Sequence, residues 1–142
     1  MKRKITVAYF EPDKESYDQL LRFLKSENID NQFEIKHYPK PIVYYMDKEF
    51  TADIIIIDTS SVQGECITML GCEDTLYSNL RYFVEKHRNS LICIASYVVV
   101  WAKDWLERLK EDFEGNDQYI EYSQNGGENL TNFLKARMKY FQ

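Results

Sequence analysis

The chain carries no excess of basic residues: 18 Lys and Arg stand against 23 Asp and Glu, for a net charge of −5. Beyond the Met1–Lys4 end its cations are interleaved with acids, so the clustered Lys and Arg that drive counterion release from nucleic acid are missing. Long apolar runs are missing too. The longest, Leu91 to Ala102, is interrupted by Ser96 and is too short to span a bilayer, which argues against a membrane span. Lys2, Arg3 and Lys4 lead into a short strand-like run with no cleavage site, so no secretory signal is expected and the reading is cytoplasmic. Cysteine is sparse: Cys66, Cys72 and Cys93 make an odd number in no metal-binding spacing, as reduced thiols of a cytoplasmic protein would, with a Cys66–Cys72 redox pair as the alternative. His37 and His87 have no Cys or Asp at ligand spacing and fall in distant elements. No metal site, cofactor or Cys–His nucleophile is therefore expected, and the reading is of a protein that is not an enzyme. No Pro/Ser-rich linker, repeat or low-complexity tract divides residues 1–142, so one domain is expected.

What is present is a regular alternation of hydrophobic period. An apolar fraction of 44% with 29% charged residues is that of a soluble globular chain. Ile5 to Phe10 reads as a buried strand, and Asp13 as the N-cap of a helix over roughly Lys14 to Ser26 with Tyr17, Leu20, Leu21 and Leu24 inward. Phe33, Ile35 and His37 alternate with polar residues as in an edge strand. After Pro39 and Pro41 a short helix is expected from Ile42 to about Lys48. Ala52 to Ile57 holds four isoleucines in a row and ends at Asp58, the pattern of a central strand buried on both faces. A loop is expected from Thr59 to about Glu73, then a helix capped by Asp74, a strand over Leu91 to Ala95, and a fourth helix marked by Trp105, Leu106, Leu109 and Phe113. A fifth strand over Tyr119 to Tyr122 and a last helix opened by Gly126 and Gly127 complete the series. Strands regularly interrupted by helices imply right-handed crossovers. The fold class is α/β: a flavodoxin-like, doubly wound, five-stranded parallel sheet of order 2-1-3-4-5 with helices on both faces.

In such a sheet ligands bind beyond the carboxyl ends of the strands, where strand order reverses. That places Glu11, Asp13, Asp58, Thr59, Ser96 and Ser123 around a candidate pocket. An acid ending the third strand and a hydroxyl ending the fourth, with "VAYFEPDKESYDQLLRFL" and "ADIIIIDTS" as the most specific segments, resemble a response-regulator receiver domain. The resemblance implies Asp58 at the phosphoacceptor position and Ser96 at the switch-hydroxyl position. It also implies two adjacent acids after strand one, holding magnesium with the acceptor, and a lysine after strand five. Here Glu11-Pro12-Asp13 matches the tripeptide that follows the acidic pair in many receivers, which leaves Tyr9 and Phe10 where the acids belong. A shifted register using Glu11 with Asp13 is broken by Pro12, and Tyr122-Ser123-Gln124-Asn125 supplies no lysine. Phosphoryl transfer depends on positioning and charge neutralisation, so the resemblance is to a degenerate pseudo-receiver. Asp58 also reads as a cap of the loop that follows it, and Ser96 as a turn residue.

Gly126-Gly127 reads as a flexible helix entry, with an anion-binding turn as the alternative. The aromatic content is 15%, and much of it falls on inward stripes. Tyr97, Trp101, Tyr140 and Tyr77 fall around the fourth helix and the chain end. The run Tyr97-Val98-Val99-Val100-Trp101 is more apolar than a loop needs. Receivers pair and bind output partners through the face of helix four, strand five and helix five. An interface through Tyr97, Val99, Trp101 and Tyr140, to a protein partner or a second copy, is therefore expected, against burial of the run under the third helix. The function expected is a signalling module acting by protein–protein interaction. The alternatives are a working response regulator phosphorylated on Asp58 and a flavodoxin-like domain binding a small molecule at Thr59-Ser60-Ser61.

Overall fold

The four consecutive isoleucines lie at the centre of the sheet. In the computed structural model, which describes residues 3–62, 72–114 and 119–141, β3 (Ile54–Asp58) is buried at every position and hydrogen-bonded on both sides. Because successive strand side chains point to opposite faces, Ile55 and Ile57 enter one core while Ile54 and Ile56 enter the other. β1 (Ile5–Phe10) divides the same way: Phe10 joins the first core and Tyr9 the second. β2 (Phe33–Tyr38), β4 (Leu91–Ser96) and β5 (Ile120–Gln124) complete an all-parallel sheet of order β2-β1-β3-β4-β5. The expected fold class and strand order are those observed.

Helices cover both faces. α1 (Lys14–Ser26) and α5 (Gly127–Phe141) supply Leu20, Leu24, Leu130, Phe133 and Leu134 to the core holding Tyr9. α3 (Cys72–Lys86) and α4 (Val99–Asp112) supply Leu80, Phe83, Val84, Ala102, Leu106 and Leu109 to the other. Asp13 caps α1 as its composition predicts, its carboxylate accepting the Glu15 N–H at 3.0 Å. The paired glycines do separate jobs. Gly126 has φ +118°, a conformation unfavourable for any residue with a Cβ. Gly127 lets α5 start directly against α1, where a Cβ would stand 2.6 Å from Phe23 Cδ2 and 2.9 Å from the Gln19 carbonyl oxygen.

Several boundaries differ from the sequence expectation. The short helix expected from Ile42 to Lys48 is a 3-10 turn over Ile42–Tyr45, whose three-residue period puts both Ile42 and Tyr45 into the core. Thr59 does not open a loop but starts a four-residue helix, α2 (Thr59–Val62). Residues 63–71, and with them Cys66 and most of the expected loop, lie outside the described residues. α3 begins at Cys72, ahead of the Asp74 cap expected for it. The valine run after β4 is the first turn of α4, and β5 sits one to two residues later than expected. Among the described residues no helix is long and apolar enough to cross a membrane.

Candidate functional site

Strand register brings the carboxylates together. Phe10 pairs with Ile57, so the next residues on each strand, Glu11 and Asp58, come level at the carboxyl end of the sheet. The Glu11 N–H donates to the Tyr38 carbonyl at 3.2 Å, carrying the β1–β2 pairing one residue further, and His37 Nε2 donates to the Glu11 carbonyl at 2.7 Å. On the other side Ser96 pairs with Gln124, which leaves Asn125 as the first residue beyond β5. Glu11, Asp58 and Asn125 are 3%, 3% and 1% exposed.

Asn125 joins them. Its Nδ2 donates to Glu11 Oε2 at 2.6 Å and to Asp58 Oδ2 at 2.5 Å. Its Oδ1 accepts the Tyr9 hydroxyl at 2.6 Å and the Gly126 N–H at 2.8 Å. Two donors and two acceptors use the full capacity of a carboxamide. The remaining carboxylate oxygens are engaged as well. Glu11 Oε1 accepts the Asp13 N–H at 3.0 Å. Asp58 Oδ1 accepts the Ser60 N–H at 2.8 Å and also the Ser60 hydroxyl. Asp58 is thus the N-cap of α2, the structural role its place after a strand allowed.

The electrostatics follow from burial without a counter-charge. Loss of water, and then the neighbouring Asp58 charge, raise the Glu11 pKa from 4.5 to about 7. Burial, with the charges of Glu11 and Asp58 close by, holds the Tyr9 proton firmly in place. An amide between two carboxylates supplies hydrogen bonds but no positive charge, so Glu11 holds its proton more tightly than it would in water.

The other residues expected at this pocket are placed differently. Asp13 faces outward as the α1 cap, and Thr59 is buried at the start of α2. Ser96 is buried, but its hydroxyl accepts the Val98 N–H at 3.1 Å and its carbonyl accepts the Asn125 N–H at 2.8 Å. The Ser123 hydroxyl bonds the Gln124 carbonyl at 3.0 Å, outside the network that joins the carboxylates. Of the interface residues, Tyr97 turns back over the site and shares a short hydrogen bond with the buried Ser16 hydroxyl of α1. Val99 and Trp101 are exposed on the first turn of α4, whereas Tyr140 lies at the far end of α5. Tyr77 lies against α4 but is buried, stacked on Trp105 and bonded to the Arg108 carbonyl.

Sequence reasoning missed Asn125, Tyr9 as a hydrogen-bonding partner and Ser16, and named Ser60 only as a small-molecule contact where it bonds Asp58. The segment Tyr122–Asn125 stood out for its missing lysine, and the signal that was there to read was a carboxamide next to that gap. A magnesium site of the receiver kind does not fit these residues. Tyr9 and Phe10 are core side chains, Asp13 caps a helix, and Asn125 already bonds both remaining carboxylates. Among the described residues no group of three or more His, Cys, Asp and Glu is placed to hold a metal ion. A cleft of about 1140 Å³ lies at the opposite pole, between the start of β5 and the ends of α4 and α5, and includes Tyr119 and Tyr140.

Sheet order and crossovers define a flavodoxin-like, doubly wound α/β domain. No protein-family model matches the chain, and no curated protein does. Solved structures do. A pilus assembly-related protein of Burkholderia pseudomallei is 11% identical with a TM-score of 0.60, covering 100% of this chain and 95% of its own. HP1043, an orphan response regulator of H. pylori, is 14% identical with a TM-score of 0.53, covering 97% and 99%. A chain from the structure of the CheA3 P1 domain in complex with CheY6 from R. sphaeroides is 16% identical with a TM-score of 0.52, covering 96% of this chain and 98% of its own. At these identities the likeness is one of fold alone, the five-stranded parallel sheet of order 2-1-3-4-5.

Proposed function

We propose that the chain is a receiver-like regulatory module, one domain over its length and cytoplasmic, that signals by binding another protein and is not phosphorylated on Asp58. The observation that carries this reading is the Asn125 amide bonded to both Glu11 and Asp58. Phosphoryl transfer to a carboxylate needs a free oxygen to attack and positive charge to receive the phosphoryl oxygens. Here both Asp58 oxygens are engaged, and the neighbouring groups are a carboxyl, a neutral amide and a tyrosine hydroxyl. An incoming acyl phosphate meets negative charge.

The protein-binding half of the reading rests on the first turn of α4. Val98, Val99, Val100 and Trp101 are all more than 40% exposed, a contiguous apolar patch of the kind that marks partner surfaces. A neighbour with this fold, in the CheA3 and CheY6 structure, is solved in complex with another protein.

Intact mass after incubation with acetyl phosphate and magnesium tests the proposal, with Asp58→Asn as control and a working receiver alongside. No added mass in the folded protein is expected. An added phosphoryl group that the control abolishes would make this a functional phosphoacceptor and sink the reading.

A further inference from the structure

The geometry points to Tyr97 as a strap that closes the carboxylate end of the sheet and sets the position of the apolar first turn of α4. The inference rests on the reading of that end as a closed, unphosphorylated site, and it supplies the route by which the site and the partner surface communicate.

Three segments distant in sequence meet at this one ring. Tyr97 follows the last residue of β4 and stands two residues before α4. Its hydroxyl is bonded to Ser16, 81 residues away on α1. Its Cε1 would lie 3.8 Å from a Cβ at Gly126, on the turn that follows Asn125. Burial raises the Tyr97 pKa, the Ser16 hydrogen bond lowers it in part, and the charges of Glu11, Asp58 and Asp13 raise it, which places the hydroxyl in the field of the carboxylate site. Yet the ring is 51% exposed, so one side faces the site and the other faces water. A half-exposed ring held by one hydroxyl has the form of a strap and not of a core residue.

The turn it leads into has little else to hold it. The N-cap of α4 is Val98, which makes no side-chain capping bond, and valine is among the poorest residues at that position. Four successive apolar side chains, Val98 to Trp101, are 41–53% exposed and offset this with only part of their burial. The fixed points are the Ser96 hydroxyl on the Val98 N–H and the Tyr97–Ser16 bond. The Ser96 carbonyl in turn accepts the Asn125 N–H. A change in how Asn125 holds Glu11 and Asp58 therefore reaches the Gly126 turn and the Ser96 carbonyl, the two places that seat Tyr97. Tyr97 is a positioning residue: it acts on the α4 turn and touches no reacting group.

Hydrogen exchange of the Val98–Ala102 amides reads the turn directly. Tyr97→Phe keeps the ring and removes the hydroxyl; Ser16→Ala removes the other half of the bond. Each is expected to raise exchange of those amides roughly three- to tenfold, the range one net hydrogen bond supports. The double variant should add nothing further. In a second arm, Asp58→Asn should alter the same amides in the native chain but not in the Tyr97→Phe background. Unchanged exchange in the single variants, additive effects in the double, or an Asp58→Asn effect that persists without the Tyr97 hydroxyl would each overturn the strap. Both single variants leave the two cores untouched, and an unchanged thermal midpoint within about 3 °C checks that each is folded. These outcomes are separate from the phosphorylation test: loss of the strap with no added mass leaves the proposed function standing, and added mass removes that function whatever Tyr97 does.

Discussion

Asn125 stands at the residue scale as the group that makes two buried carboxylates tolerable without a cation. Asn125→Ala would leave Glu11 Oε2, Asp58 Oδ2 and the Tyr9 hydroxyl without the partner that joins them in a buried site. The expected cost is about 3 kcal/mol in urea unfolding, in the range for buried polar groups stripped of a partner. Tyr9→Phe removes one bond to the amide oxygen and should cost about 1 kcal/mol by the same measurement. Glu11 gives the site a pH signature. Its folded pKa, about 7, lies above the ordinary 4.5 because of burial and then the Asp58 charge. The folded chain therefore binds more protons at this group than the unfolded chain between those values. Its contribution to stability is full below about 4.5, falls as pH rises through the window, and is gone above about 7. Unfolding midpoints of the native chain and Glu11→Gln, compared from pH 4 to 8 as a trial range of roughly four units, should show the difference between them shift in favour of Glu11→Gln as pH rises. A constant difference would place the Glu11 pKa elsewhere.

At the scale of elements, the close approach of α1 and α5 is a tight constraint. Gly127→Ala sets a Cβ against Phe23 and the Gln19 carbonyl, and the backbone oxygen cannot move aside as a side chain can. The expected loss is about 1–3 kcal/mol by chemical denaturation; a neutral result would mean that α5 pivots freely on the Gly126 turn. What the sequence made legible lies mostly at this scale. Strand β3, the α1 cap and the inward stripe of α5 depend on local period and local hydrogen bonds, and all three could be read from neighbouring residues. The four-residue α2 and the 3-10 turn over Ile42–Tyr45 could not. They are too short for a period to register, and Asp58 and the core decide them. The functional network was legible only as positions. Glu11 and Asp58 end strands, so their meeting follows from topology. The part played by Asn125 depends on register between strands more than 60 residues apart, and that of Ser16 on a ring reaching across from β4.

The whole molecule separates what composition had grouped. Tyr97, Val99, Trp101 and Tyr140 were read as one surface, but Trp101 is on the first turn of α4 at the carboxyl end of the sheet. Tyr140 is near the last residue of α5, a helix of 15 residues that spans about 20 Å. The exposed apolar patch next to the site is Val98–Trp101; Tyr140 belongs to the cleft at the other pole. Because Val99 and Trp101 are 42% and 53% exposed and belong to neither core, Val99→Lys and Trp101→Lys should change stability by no more than about 0.5 kcal/mol. Leu106→Ala, one and a half turns further into α4 and 5% exposed, should cost about 2–5 kcal/mol. A large loss on charging Val99 or Trp101 would mean that the turn is covered within the monomer and is not a docking surface.

The central claim is that Asn125 closes the carboxylate site in the place of a cation. Its most direct test is the Asn125 side-chain amide pair in a proton–nitrogen spectrum, assigned by its loss in Asn125→Asp and followed as magnesium is added. With both protons donated to buried carboxylates, the pair should be well dispersed, slow to exchange, and unmoved by millimolar magnesium. A saturable shift of those two resonances, or their collapse to the position of solvent-exposed amides, would show that the site opens to a metal and contradict the account.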